Sequence, residues 1–182
     1  MNDSFVLTCL ETVDTVLNMN NIETVIHSTQ STSNRRRTIL IDIENFNGGP
    51  ITSPAQAQWC RRMIENLVDL QPDEQVTIAS DVTGVTNIHL AWPKARILAG
   101  YKENGADLRL LEVMDENLPA RFTEMVLISG DRIYAEKISE LARAGLPTHV
   151  FAHSAALSKR LNFAATTVTT STTSTPTARK AS

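Results

Sequence analysis

The run Thr38-Ile39-Leu40-Ile41-Asp42-Ile43 constrains the fold more than any other stretch of the chain. It is apolar and largely β-branched, the pattern of a strand covered on both faces, as in a parallel sheet. A carboxylate in such a run is costly unless something neutralises it. Asp42 therefore has a purpose other than packing, and the carboxyl end of a central strand is where it can serve one.

Downstream, strand-like and helix-like segments alternate. Ser53 followed by Pro54 makes a helix start, and Ala55, Trp59, Met63, Leu67 and Leu70 follow at spacings of three or four. This stripe, with Trp59 at its centre, is expected to lie on the sheet. Further strands are predicted at 75–80, 95–99, 125–128 and 149–152. A short helical or irregular segment surrounds His89 and Trp92. Gly105-Ala106-Asp107 opens a helix through Leu111 and Met114, and Ala135, Ile138, Leu141 and Ala142 share a face of the next, which Gly145 and Pro147 end. Ser154 is the expected cap of a last helix reaching Phe163. Strand and helix in this order imply right-handed βαβ units. The expected fold is α/β, a three-layer αβα Rossmann-like architecture with a mostly parallel sheet of about five strands in the order 3-2-1-4-5.

Both flanks differ from this core. Residues 1–34 carry Phe5, Val6, Leu7, Leu10, Val13, Val16 and Leu17 as a roughly helical stripe, then become polar from Ser28 to Asn34. They read as a short amphipathic helix on a linker. Residues 166–182 are nearly all Thr and Ser with a basic end, too little apolar surface to offset chain entropy, so a disordered tail is expected. The domain itself is placed at 35–165.

Asp3, Glu11 and Asp14 interrupt the N-terminal apolar pattern, which argues against a signal peptide. No uncharged apolar run approaches the ~20 residues of a membrane span, so no membrane partner and a cytoplasmic location are expected. Cys9 and Cys60 have no second thiol or histidine at zinc-finger spacing, which excludes a disulfide scaffold and a structural zinc site. With a net charge of -3, long-range attraction of a polyanion is excluded; nucleic-acid binding has to rest on local basic patches or on metal ions.

In open α/β sheets the functional crevice lies beyond the carboxyl ends of the strands. In the order 3-2-1-4-5, strands one and four are neighbours, so Asp42 and Asp131 face one cleft, and Asp107 at a helix start can reach it. Carboxylates brought together raise one another's pKa unless a cation neutralises them. Oxygen donors without His or Cys favour Mg2+ or Mn2+ over zinc. Such an ion activates water and stabilises charge on a phosphoryl oxygen.

Three ordered motifs carry a resemblance: Ile41-Asp42-Ile43-Glu44-Asn45-Phe46, Asn104-Gly105-Ala106-Asp107, and Leu127-Ile128-Ser129-Gly130-Asp131-Arg132-Ile133-Tyr134. Over about residues 37 to 165 the chain resembles the NYN branch of the PIN-like nucleases. The resemblance implies a PIN-like fold and metal-dependent RNA cleavage, with Asp42, Asp107 and Asp131 as metal ligands or water-activating groups. Asn45 would then fix the strand-one loop or touch the substrate, with Ser129 in the strand-four motif on the substrate side. The chain departs from the family pattern at Ile133, where a second Asp is usual, at Tyr134 in place of Phe, and at Ala164-Ala165-Thr166, where an Asp is often found. The alternative these departures motivate is a catalytically degenerate module that binds RNA, or a protein partner through the N-terminal helix or the tail.

Simpler readings stand beside these. Asp107 and Asp131 also fit helix caps, and Asn45 before Asn47-Gly48-Gly49-Pro50 fits a turn. Glu44 reads as a loop acid. Arg35-Arg36-Arg37 suits either an RNA backbone or a solvated face. Lys102, just before Asp107, is the preferred phosphate contact. A haloacid-dehalogenase-type phosphatase ranks low, because Glu44 stands where that chemistry wants a second Asp. A P-loop is excluded by the lack of Gly-x-x-x-x-Gly-Lys-Ser/Thr.

Overall fold

A computed structural model of the chain describes residues 35–172. The chain divides into two units, Met1–Arg35 and Arg36–Ser182. The expected N-terminal helix and linker, with Cys9, lie outside the described residues, as does the tail from 173 onward.

The apolar run forms β1 (Arg37–Asp42), and the chain turns at once into a short helix, α1 (Ile43–Asn47). Ile43 is thus helical rather than the end of the strand, because the Asp42 carboxylate accepts the Asn45 N–H and caps the turn. Then come α2 (Pro54–Val68), β2 (Gln75–Asp81), α3 (Val85–Ala91), β3 (Arg96–Gly100), α4 (Gly105–Met114), α5 (Leu118–Arg121) and β4 (Glu124–Ile128). A 3-10 turn (Arg132–Tyr134), α6 (Ala135–Arg143), β5 (Thr148–His153), α7 (Lys159–Ala164) and β6 (Thr167–Ser171) complete the described residues. All strand pairs are parallel, and the sheet order is β3-β2-β1-β4-β5-β6. Helices cover both faces, giving the three-layer αβα arrangement.

The period-two alternation of β1 sorts the core. Ile39 and Ile41 join the α1, α2 and α3 side with Ile64, Ile78 and Ile88. Leu40 joins the α4 and α6 side with Leu110, Leu127 and Tyr134. Asp42, two residues after Leu40, shares the face of the second group.

Three expectations change. The sheet gains a sixth strand, β6, inside the segment expected to be a disordered tail, so the domain runs past 165. Composition argued for disorder there. Thr is nonetheless β-branched and strand-compatible, Val168 packs against the core, and the β6 backbone pairs with β5 from His149 to His153. In α2 the fully buried row is Ala57, Cys60, Ile64 and Val68, while Trp59, Met63 and Leu67 are partly buried beside it and Ala55 is exposed. The apolar arc is wider than one stripe, and its centre lies one residue over. Ser158, not Ser154, caps the last helix through the Leu161 N–H.

Arg37 leaves the pool of candidate RNA contacts. Its guanidinium is buried against Glu74 and the Val68 and Asp69 carbonyls, the last two at 3.0 and 3.1 Å.

At the top of β3 the chain needs glycine. A Cβ on Gly100 would sit 2.2 Å from the Ala106 nitrogen and 2.4 Å from the Gly105 carbonyl carbon, backbone that cannot move aside. Gly100→Ala is expected to destabilise the domain by about 1–3 kcal/mol, because it pushes α4 off the sheet. Urea denaturation measures this, and a variant with the wild-type midpoint would show that α4 does not approach β3 so closely.

Candidate active site

The carboxyl ends of β1, β2, β3 and β4 open into one pocket of about 330 Å³. Its lining includes six carboxyl groups, those of Asp42, Glu44, Asp81, Glu103, Asp107 and Asp131, against one ammonium, Lys102. The fold thus brings the three expected aspartates together with Asn45 and Lys102. A pocket so acidic repels an RNA phosphate unless a cation intervenes.

Each side chain has a local reason for its position. Asp42, 4% exposed, ends β1 and caps α1: its Oδ1 accepts the Asn45 N–H at 3.1 Å and its Oδ2 accepts the Ser129 hydroxyl at 2.9 Å. Asp107 lies in the first turn of α4, where the positive end of the helix favours a carboxylate. It is not a cap. Asp131 is one, with its Oδ1 accepting the Ile133 N–H at 3.0 Å at the start of the 3-10 turn. Capping and lining the pocket are therefore compatible roles for Asp42 and Asp131.

Asn45 fixes the loops. Its Oδ1 accepts the Gly130 N–H at 2.9 Å, which ties the turn after β1 to the turn after β4. Ser129 differs from its expected role beside the substrate. It is 1% exposed, donates to Asp42, and accepts the Asp131 N–H at 3.2 Å. It positions both aspartates from below and is absent from the pocket lining, because its hydroxyl is spent between Asp42 and the Asp131 N–H.

Two participants, Tyr134 and Asp81, escaped the sequence reading, and a third, Glu44, was undervalued by it. Tyr134, fully buried, donates its hydroxyl to Asp107 Oδ1 at 2.8 Å and lies 3.5 Å from Asp42 Oδ2. The sequence showed only a Tyr in place of Phe. Glu44 is more than a loop acid: its Oε1 accepts the Ser80 hydroxyl at 3.1 Å and the Asp81 N–H at 3.0 Å, which anchors α1 to β2 at the pocket wall. Asp81 ends β2 as Asp42 ends β1, and the strand-end rule applied to Asp42 was the signal that would have found it.

The electrostatics follow from burial and crowding. Burial, and then the Asp107 carboxylate beside it, raise the Asp42 pKa from 3.8 to about 7, against the lowering effect of the Asn45 and Ser129 hydrogen bonds. Burial followed by Asp42 and Asp107 drives the Tyr134 hydroxyl well above its ordinary value, so it remains a donor. The Thr83 N–H and hydroxyl hold Asp81 below the usual carboxylate range.

A crowded buried carboxylate that resists ionisation is what a cation relieves. Among the described residues, no group of three or more His, Cys, Asp or Glu side chains is placed to hold a metal ion by itself. Mg2+ does not require such a group, since it commonly takes one or two carboxylates and keeps several waters. The Asp42 and Asp107 pair, with Asp131 lining the same pocket, fits that open, all-oxygen mode.

No protein-family model matches the chain, and no curated protein matches it in sequence. The fold has a solved counterpart. A crystal structure of a protein of unknown function from Vibrio parahaemolyticus matches with a TM-score of 0.54 at 14% identity, over 76% of this chain and 94% of that one. At that identity the likeness shows the fold alone. Among the described residues no helix is long and apolar enough to cross a membrane.

Proposed function

We propose that the protein is an Mg2+- or Mn2+-dependent ribonuclease of the NYN branch of the PIN-like nucleases, acting in the cytoplasm. The observation that carries the reading is the convergence of Asp42, Asp107 and Asp131 in one pocket at the strand ends, where burial and then the neighbouring Asp107 raise the Asp42 pKa. Asp42 and Asp107 would hold the ion. An ion held there would supply Lewis acidity to a phosphoryl oxygen and lower the pKa of a water.

The chain's own groups do the remainder. Tyr134 holds Asp107 Oδ1, and Ser129 holds Asp42 Oδ2, which leaves little freedom in either carboxylate. Asp131 Oδ1 is fixed by the Ile133 N–H, so Oδ2 is the atom available to take a proton from the attacking water. Water adds to phosphorus as its proton passes to Asp131, the bond to the leaving oxygen breaks, that oxygen takes a proton from solvent water, and Asp131 returns its own to solvent. Lys102, exposed at the pocket rim, pairs with a phosphate of the RNA.

One observation favours a second reading, a module that binds RNA without cutting it. Ile133, where the family pattern has an acid, packs against the apolar core and brings no charge to the pocket. Incubating a labelled RNA pool with purified protein in Mg2+, in Mn2+ and in chelator separates the two. Cleavage in either metal and none in chelator is expected. Folded protein that binds RNA but leaves it intact in both metals sinks the nuclease reading and leaves the second.

A further inference from the structure

A groove of about 380 Å³ between the 3-10 turn, α6 and α7 begins at Arg132, the residue after Asp131 of the carboxylate pocket. Arg132 stands on one wall, and Arg160 and Phe163 on the other. Phe163 is 86% exposed at the end of α7, the most exposed large apolar side chain among the described residues. Neither Arg132 nor Arg160 has an ion pair or side-chain hydrogen bond among the described residues, and both are exposed, as is the neighbouring Lys159. Glu136 is the groove's one acid. The wall is not loosely attached, since the Ser158 N–H donates to the Gly130 carbonyl at 2.8 Å and binds the start of α7 to the turn that carries Asp131.

A bare aromatic ring in a groove that also carries two unpaired guanidinium groups is complementary to a polyanion with π faces. Bases of a single strand stack on such a ring regardless of sequence while cations track the phosphates. A duplex, whose bases already stack on one another, offers the ring nothing. An apolar protein partner would have to cover Arg132, Arg160 and Glu136 along with the ring, leaving those charges desolvated and unpaired.

We propose that this groove holds single-stranded RNA beside the cleft, with one base stacked on Phe163 and the flanking phosphates on Arg132 and Arg160. The inference rests on the carboxylate pocket being the cutting site, but its test reads binding and not cleavage. Fluorescence anisotropy of a short labelled oligouridine, and of a duplex RNA of equal length, is measured with the full chain in chelator and separately in Ca2+.

Phe163→Ala is expected to weaken oligouridine binding about tenfold and to leave duplex binding unchanged, while Phe163→Trp retains it. Arg160→Gln weakens binding and lowers the salt slope by about one. Wild-type protein that does not bind oligouridine in either condition overturns the proposal. So does wild-type affinity in Phe163→Ala, or an equal loss on single strand and duplex. Unchanged RNA binding with self-association that Phe163→Ala abolishes also overturns it, and makes the ring a contact between copies. Phe163-dependent binding without cleavage in Mg2+ or Mn2+ means the pocket reading has failed while the groove stands; cleavage with Phe163-independent binding means the reverse.

Discussion

Asp42→Asn is expected to reduce RNA cleavage by roughly 10²–10⁴-fold, the range associated with losing a positioned acid–base or ion-holding carboxylate. The substitution keeps the shape of the side chain and one acceptor oxygen, so the Asn45 N–H retains its cap partner. What is lost is the charge that, with Asp107, gives the pocket its claim on a divalent ion. The same change removes a buried like-charge contact, so the variant should fold at least as well as the parent at neutral pH. That combination separates chemistry from collapse. The measurement is initial cleavage rate in saturating Mn2+, paired with the thermal midpoint of both proteins. A well-folded Asp42→Asn variant that cuts at the parental rate would falsify the role given to this carboxylate.

The second large effect concerns stability and pH in the absence of divalent ions. The Asp42 carboxyl holds its proton more tightly in the folded chain, with a pKa of about 7, than in the unfolded chain, at 3.8. Its contribution to stability is therefore fully present below about pH 4 and is lost as the pH rises through 7. The full difference is of order 4 kcal/mol, of which about 3 kcal/mol falls between pH 5 and pH 8, roughly 8 °C in thermal midpoint for a domain of this size. In chelator, wild-type protein should melt lower at pH 8 than at pH 5, and the difference curve against Asp42→Asn should isolate this carboxyl from the other titrating groups. Mg2+ at pH 8 should recover part of the loss, because it binds the folded carboxylates only. Parallel melting curves for the two proteins from pH 5 to 8 would show that Asp42 does not retain its proton.

Much of the fold was legible because apolar β-branched runs and Gly, Pro and Ser punctuation are local signals. Leu127 and Ile128 read as a buried strand without help from the rest of the chain, and the expected order 3-2-1-4-5 then placed β4 beside β1, as the sheet has it. β6 was not legible. Its Thr-rich sequence is polar, and what makes it a strand is the waiting edge of β5, a partner that no local window contains. The Trp59 row was misplaced by one position for a related reason, since a broad apolar arc has several possible centres and the sheet chooses.

At the site, the aspartates were legible because a charge at the end of a buried strand stands out against its neighbours. The groups that hold them were less so. The Tyr134 hydroxyl meets Asp107 across 27 positions of chain, and Ser129 meets Asp42 across 87, distances over which spacing carries no signal. Ser129 was assigned to the substrate side because its motif borders the cleft, and only burial distinguishes a residue in the floor from one at the rim.

His153 gives the added strand a reach beyond its own edge. Its Nε2 lies 2.9 Å from the Phe46 carbonyl, which can only accept, so the neutral ring carries its hydrogen there and takes the Ser171 hydroxyl on Nδ1 at 2.9 Å. Phe46 belongs to α1, the helix that Asp42 caps, and its ring stacks on the imidazole at a centroid distance of 5.2 Å. A relay of one serine, one histidine and one peptide group therefore runs from the outermost strand to the helix that Asp42 caps. Trimming the chain where its composition turns to threonine would cut that relay, so the placement of the pocket's central acid is partly underwritten by a stretch that looks dispensable on paper.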